Sequence, residues 1–405
     1  MRVIEIFEQL SRFCRCSGTY EPFKKYLEDF STRCGYEIYE DQYHNLLTKK
    51  KDSQPKLALQ SHYDIVCIEK STIPEIVYED GYIKAKNSTL GSDNGIGCAY
   101  MLALMEQGFD CEYLFTSDEE IGLIGANNLQ IQLNAQYMLN LDSEEDSSIC
   151  IGCAGGVDIF GMNQQSEYIQ NTQNKSLYEI IINNLDGGHS GVDIDKNIPN
   201  AIKLLAQAIY ESGGDLVDFN GGERINSIPK SAKAIVVSHK SPLPNHPNMV
   251  VKKLQSSTDH YKKLDPRIIN FLYSFPNGVR GYDKDLDVVL NSINLAIVHN
   301  TIDGLQVSLS ARSMENEELL QISKETQVLL QSFGFDVQTS GKYPAWKPQR
   351  NQFCDDVEQI YKQFSKDVRV YAIHAGLECA IFSKKYPQIQ ICSIGPNIFF
   401  PHSYN

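Results

Sequence analysis

No stretch of this sequence approaches the roughly 20 consecutive apolar residues that a helix needs to cross a bilayer, which excludes a membrane span of that kind. The amino-terminal MRVIEIFEQL carries acids where a secretory signal carries bases ahead of an apolar stretch, so the cytoplasm, not export by that route, is expected. Bases are in short supply: 37 Lys and Arg stand against 51 Asp and Glu, a formal charge of -14. Apart from Lys49, Lys50 and Lys51 there is no basic cluster, and nucleic acid is therefore not an expected partner. The 11 cysteines are scattered and odd in number, which fits free thiols in a reducing compartment better than a disulfide framework. Cys150 and Cys153 form a CxxC, but no second pair lies at zinc-ribbon spacing, and chance is the preferred reading. There is no internal repeat.

What is present is the composition of a globular protein, 42% hydrophobic and 22% charged, over 405 residues. Single cores stop growing at roughly 250 to 300 residues, so two domains, or one with a large insertion, are expected. Ile4, Phe7 and Leu10, then Tyr20, Phe23, Leu27 and Phe30, repeat at helical spacing, with Gly35 as a carboxy-terminal cap. Buried strands follow at 57–66, 113–116 and 137–141, alternating with a helix near 96–107 and a second helix-like patch, the pattern of a largely parallel α/β sheet. Between Gly161 and Ser176 the chain is rich in Gln, Asn and Ser and reads as a linker. Beyond it come a strand at 178–182, a helix at 198–210, strands near Ala234 and Leu305 and a helix at 315–333, an α+β unit closed by the turn residues of Gly341 to Pro344. A helix at 354–364 and strands at 368–371 and 389–394 return to the first style. The expected architecture is an α/β catalytic domain with a mostly parallel central sheet, 1–160 and 342–405, interrupted by an inserted α+β lid over 161–341.

Acids and one imidazole recur at the ends of the first domain's strands, where open α/β sheets place their sites. His62 and Asp64 are two apart on a strand and project from one face. Asp93 lies in a glycine-bearing loop feeding a helix, Glu119 and Glu120 follow one strand, and Asp142 closes another. Each fragment alone is weak, since HxD is commonly a surface strand and an acidic pair a solvated turn. Together, each after an apolar run, they are the nitrogen and oxygen donors of a borderline or hard cation such as zinc, and a two-metal site needs a carboxylate to bridge its ions.

The ordered segments LQSHYDIV, STLGSDNGIGCA, FTSDEEIGLIGA, LNLDSEEDSSICIGCAGG, GGHSGVDI, NAIKLLA, HAGLECAIF and SIGPN resemble the aminoacyl-histidine (Xaa-His) dipeptidases of the M20 metallopeptidase family, from the first helix almost to the last residue. The resemblance implies two zinc ions, with Mn or Co as alternatives, and hydrolysis of unblocked dipeptides, with carboxy-terminal His or Gly as candidate preferences. By motif it implies His62 and Asp142 as ligands of one zinc, Asp93 as the bridge, and Glu120 and the near-terminal His402 as ligands of the other. Glu119 is implied as general base and Asp64 as the acid that orients His62. His189, in GGHSG, is implied as the oxyanion donor, in several relatives across a dimer interface, so a homodimer through the lid is expected. Arg312, in LSARS, is implied as the receiver of the substrate carboxylate, and Asn226, in INSIP, as a further lid contact. His374 and Glu378, in HAGLE, are candidates for substrate contact or for a buried structural pair. His44, His239, His246, His260 and His299 match no motif and are taken as ordinary surface or core residues.

The sequence departs from the family pattern at Ser61, which stands in place of a Gly, at Tyr63, in place of a small or aliphatic residue, and at Phe400 and Pro401, in place of a small pair. It stops at Asn405, where the resemblance implies a further acidic residue and a final helix. A non-catalytic relative that binds metal or peptide is one competing reading, to be set against the full set of metal and base residues. Deacylation or tripeptide cleavage within the same family is another, opposed by the GGHSG and HAGLE blocks.

Overall fold

A computed structural model of the protein describes residues 2–68, 73–164, 166–169, 174–255 and 261–401. The chain divides into two compact units: Met1–Cys153 with Trp346–Ala372 and Leu377–Asn405, and Ala154–Ala345 with Ile373–Gly376.

In the first unit the amino-terminal periodicity becomes helices Arg2–Leu10 and Glu21–Cys34, burying Phe7 and Leu10 on one and Phe23, Leu27 and Phe30 on the other. Gly35 ends the second helix in the left-handed conformation, φ 79, which glycine adopts without the clash a Cβ would bring. The sheet has eight strands in the order Glu37–Glu40, Leu46–Lys49, Glu112–Thr116, Leu57–His62, Tyr137–Asn140, Gln390–Ser393, Ser148–Cys153 and Arg369–Ile373. Its centre is parallel: Leu57–His62 pairs in parallel with both neighbours, and Tyr137–Asn140 with Gln390–Ser393. Around that centre Glu37–Glu40 pairs antiparallel with Leu46–Lys49, Leu46–Lys49 with Glu112–Thr116, and Gln390–Ser393 with Ser148–Cys153. Being central, Leu57–His62 is buried at all but its first residue, which is why it reads as an apolar run and not as an alternation. Tyr63 has a clear role. Its ring stacks on Phe23, centroids 4.6 Å apart, and its hydroxyl donates to the carbonyl of His44 at 3.0 Å, so the larger side chain fills the core under the helix Glu21–Cys34.

The second unit is built on a nine-stranded sheet in the order Met249–Leu254, Ser176–Ile182, Ala232–Ser238, Asp215–Gly221, Val288–Asn300, Leu305–Ser313, Gly155–Asn163 and Asp336–Tyr343, with Gly278–Asp283 also paired to Val288–Asn300. Its pairings are antiparallel. Helices Ala201–Ser212, Pro266–Ser274 and Asn316–Ser332 pack into its core; Asn200 and Asp265 cap the first two through their side-chain oxygens.

Four expectations are corrected. A boundary after residue 160 falls inside the strand Gly155–Asn163, whose Val157 and Ile159 are core residues of the second unit, and the division lies after Cys153. The linker-like composition beyond it includes the strand Ser166–Ile169, paired with Tyr261–Leu264, and the return to the first unit comes at Trp346. The helix-like patch after Thr116 is the single turn Ile124–Asn127. Cys16 and Cys67 are joined in a disulfide, so the cysteines are not all thiols; of the nine free ones all but Cys14 and Cys34 are buried, Cys150 and Cys153 included. Partners 51 positions apart leave no spacing signal: they meet because Cys16 bridges Ile65 backbone to backbone. No helix among the described residues is long and apolar enough to cross a membrane.

Candidate metal centre

The parallel strands of the first unit end side by side, and their ends deliver the predicted residues. His62 is the last residue of Leu57–His62, Glu119 and Glu120 follow Glu112–Thr116, and Asp142 follows Tyr137–Asn140. Asp93 comes from the front of the segment Ser92–Glu106, where it and Asn94 are non-helical and the Asp93–Asn94 peptide is cis. His62 Nε2 lies 3.0 Å from Asp93 Oδ1 and 3.2 Å from Asp142 Oδ1. Donor atoms of His62, Asp93 and Asp142 all fall within 4.8 Å of one another, as do those of His62, Glu119 and Glu120.

The other ring nitrogen fixes the tautomer needed of a ligand. Nδ1–H donates to the main-chain carbonyl of Asp64 at 3.0 Å, with the Asp64 carboxylate farther off at 3.5 Å. That carboxylate accepts from Ser17 Oγ at 2.8 Å and from the backbone N–H groups of Glu119 at 3.0 Å and Glu120 at 3.3 Å. Asp64 therefore holds the acidic pair in place as well as lying beside the imidazole.

The cluster concentrates partly buried acidic groups around one buried imidazole. Burial pushes His62 down, but the charge of Asp142 and hydrogen bonds to Asp142, Asp64 and Asp93 outweigh it and hold the ring's pKa well above its ordinary range. Burial lifts Glu119 well above the usual carboxylate range, against the pull of His62 and with Asp142, Glu120 and Glu378 adding to it. Asp142 is raised by burial, opposed by His62 and reinforced by Asp93. Asp64 goes the other way: burial raises it, yet hydrogen bonds from His62, Ser17 and Glu119 bring it below the ordinary range. One imidazole with four convergent carboxyl groups is a donor set that fits zinc, manganese or cobalt, and a cation relieves the repulsion among them.

The loop carrying Asp93 depends on small residues. A Cβ on Gly97 would sit 2.2 Å from Asn94 Oδ1, 2.7 Å from Ser61 Oγ and 2.8 Å from the Leu141 carbonyl. Gly97→Ala is accordingly expected to destabilise the protein by about 1–3 kcal/mol through overpacking. Urea unfolding measures it, and a variant as stable as the parent would show that the start of this helix relaxes freely.

Several residues that serve the site escape motif reading. Asn94 Nδ2 donates to Asp142 Oδ1 at 2.7 Å. Next to this cluster runs a buried polar layer: Gln60 to Thr116 (3.0 Å), Asn140 to Gln60 (2.5 Å), Ser393 to Asn140 (2.5 Å), and Ser143 against Ser393 (2.8 Å). Glu378 Oε2 accepts from Thr116 at 2.7 Å and Gln60 at 2.5 Å, and burial, opposed by His62 and by the hydrogen bond from Thr116, pushes its pKa up to about 8. A signal for this layer is present in the sequence: Gln60, Thr116, Asn140 and Ser393 each break an apolar run at or near the end of its strand.

His189, Asn226, Arg312 and His374 belong to the second unit. His189 lies in the short pairing of Gly188–His189 with Ser227–Ile228, beside Asn226, whose carbonyl accepts from the N–H of Ser190 at 2.8 Å. Backbone N–H groups of Gly191 and Val192 donate to His189 Nδ1, both at 3.3 Å, which places the proton of the neutral ring on Nε2. Arg312 is buried near the end of Leu305–Ser313 and donates to Tyr343 Oη at 2.7 Å. Opposite it in register is Ser292, whose hydroxyl lies 2.7 Å from His374 Nε2, so Arg312 and His374 are brought together. Burial first, then the charge of Arg312, lower His374 to about 3 and keep it neutral. The buried atoms Arg312 Nε, Ser190 Oγ and Asn294 Oδ1 have no hydrogen-bond partner among the described residues. His402 lies outside the described residues.

No family model matches the chain. It is 30% identical to the cytosol non-specific dipeptidase of Escherichia coli (strain K12), in an alignment covering 98% of this chain and 92% of that protein. The structure superposes with a TM-score of 0.80 on the aminoacylhistidine dipeptidase of Vibrio alginolyticus, at 27% identity, covering 100% of this chain and 92% of the other. A tripeptidase of Staphylococcus aureus shares the fold, with a TM-score of 0.59 at 17% identity, covering 100% of this chain and 92% of that one.

Proposed function

From the premise that this chain belongs to the aminoacyl-histidine dipeptidase branch of the M20 metallopeptidases, we propose that it hydrolyses unblocked dipeptides at a two-metal centre with Glu119 as general base. The observation that carries this reading is the convergence of His62, Asp142, Glu119 and Glu120 at adjoining strand ends with Asp93 from the front of Ser92–Glu106. His62 and Asp142 would hold one ion and Glu120 and His402 the other, with Asp93 shared between them. When bound, two zinc ions, or manganese or cobalt in their place, supply Lewis-acid polarisation and bring the pKa of water toward neutrality.

The chain's own groups do the rest. Glu119, its N–H pinned to Asp64, takes the proton of the attacking water and returns it to the leaving amine. His189, with Nδ1 occupied by two N–H donors, presents Nε2–H to the developing oxyanion. Arg312, steadied by Tyr343, receives the substrate's free carboxylate through the N–H groups at the edge of its guanidinium plane, and Asn226 and His374 border that pocket. We place the enzyme in the cytoplasm, as a homodimer formed through the second unit.

A hydrolysis screen of the purified protein over a dipeptide panel with added Zn, Mn or Co tests this, including members with carboxy-terminal His and Gly and their carboxamide and N-acetyl forms. Turnover is expected to require metal, to stop on chelation, and to fall roughly 10²-fold or more for the carboxamides, which leave a buried guanidinium unpaired. Metal-loaded protein that turns nothing over would make it a non-hydrolysing relative. Preference for N-acyl substrates would make it a deacylase.

A further inference from the structure

Three sulfur atoms meet behind the metal centre. Cys16 is bonded to Cys67, and Cys14 Sγ lies 3.2 Å from Cys16 Sγ. All three residues are half-buried, whereas the other free cysteines except Cys34 are buried. The trio is thus both preassembled for sulfur exchange and reachable by a small reagent.

The segment that carries Cys14 and Cys16 is also the back support of the site. Arg15, fully buried, accepts from the N–H of Ile65 at 2.9 Å and donates to the carbonyls of Tyr63 at 2.9 Å and Gly91 at 3.1 Å. Ser17 donates to Asp64. Gly18 N–H and Tyr20 Oη donate to the carboxylate of Asp118, next to Glu119, at 2.7 and 2.5 Å. One short stretch therefore braces the backbone beside His62, the turn before Asp93 and the approach to Glu119. The disulfide fastens that stretch to Cys67, three residues beyond Asp64.

We propose that Cys14, Cys16 and Cys67 form a thiol–disulfide exchange site through which a low-molecular-weight thiol or disulfide sets how tightly the metal centre is held. Cys14, as thiolate, attacks Cys16 Sγ; the Cys14–Cys16 bond forms as the Cys16–Cys67 bond breaks, and the electron pair leaves on Cys67 Sγ, which takes up the proton given up by Cys14. Nothing is oxidised or reduced overall in that step. Two molecules of a monothiol of the glutathione class then reduce the remaining protein disulfide and leave as their own disulfide. Disulfides in reducing compartments are characteristically of this transient, sensing kind. The sulfur chemistry stands by itself; its effect on metal rests on the reading of the centre given above.

Two arms of one experiment separate these. In the first, the oxidised protein is exposed to iodoacetamide with no reductant, digested and mapped by mass spectrometry. Cys67 is expected to be alkylated in the parent, with a Cys14–Cys16 link appearing alongside, and to stay protected in Cys14→Ser, whose zinc affinity is unchanged. Equal labelling of Cys67 in both proteins, or none in either, overturns the exchange. In the second arm, zinc affinity is measured by competition with a chromophoric chelator, for the oxidised parent, the parent reduced with a phosphine and then alkylated, and Cys67→Ser. About a tenfold weakening is expected in the last two, the scale set by losing the outer partners of metal ligands. Equal affinity in all three overturns the control of metal binding while leaving the assignment of the metal ligands untouched.

Discussion

Glu119→Gln is expected to keep its metal and lose roughly 10³ to 10⁴ in kcat, the scale of general acid–base assistance withdrawn from one residue. The substitution is nearly isosteric, and the anchor at this position is the main-chain N–H of Glu119 on Asp64, which an amide side chain leaves intact. What disappears is the capacity to take up a proton and hand it on. Glu120→Ala provides the contrast: its carboxylate belongs to the proposed ligand set, so metal content should fall with activity. Metal analysis beside steady-state kinetics on both variants separates the roles, and exchanged phenotypes would reverse them.

The legibility of this site followed from where its residues sit. His62 closes an apolar strand and Glu119, Glu120 and Asp142 follow two others, and the centre of the sheet is buried, so a charged residue at the end of such a run stands out. Asp93 stood out because glycines surround it in a loop that feeds a helix. Ser17 and Arg15 gave no such sign. They reach Asp64 and Tyr63 from a turn between two helices, 47 and 48 positions away, and only the tertiary packing brings them there. The disulfide is hidden for the same reason. The domain boundary was misplaced because Gly161, Asn163 and Gln164 are linker-like in composition, whereas the ladder flanking Gly155–Asn163 on both sides commits the backbone to a strand whatever its side chains prefer.

Asp93→Ala should have the largest effect of all, removing both ions together and taking hydrolysis below detection. Five candidate ligands are more than one tetrahedral ion employs, and Asp93 is the one assigned to both halves of the centre. With it gone, His62 Nε2 keeps Asp142 at 3.2 Å, two donors where a stable site needs three or four, and the Glu120 side loses its shared carboxylate as well. The loss should not be a folding defect, because Asp93 is non-helical at the front of its segment and its side chain is only partly buried. Metal analysis of the purified variant after dialysis, with unfolding compared in the presence of chelator, isolates the effect: equal stability of the two metal-free proteins is expected, together with metal content near zero in the variant. Were one equivalent retained, Asp93 would serve a single ion and the centre would be two independent sites, in which case Asp142→Ala and Glu120→Ala would each be expected to remove a different ion without disturbing the other.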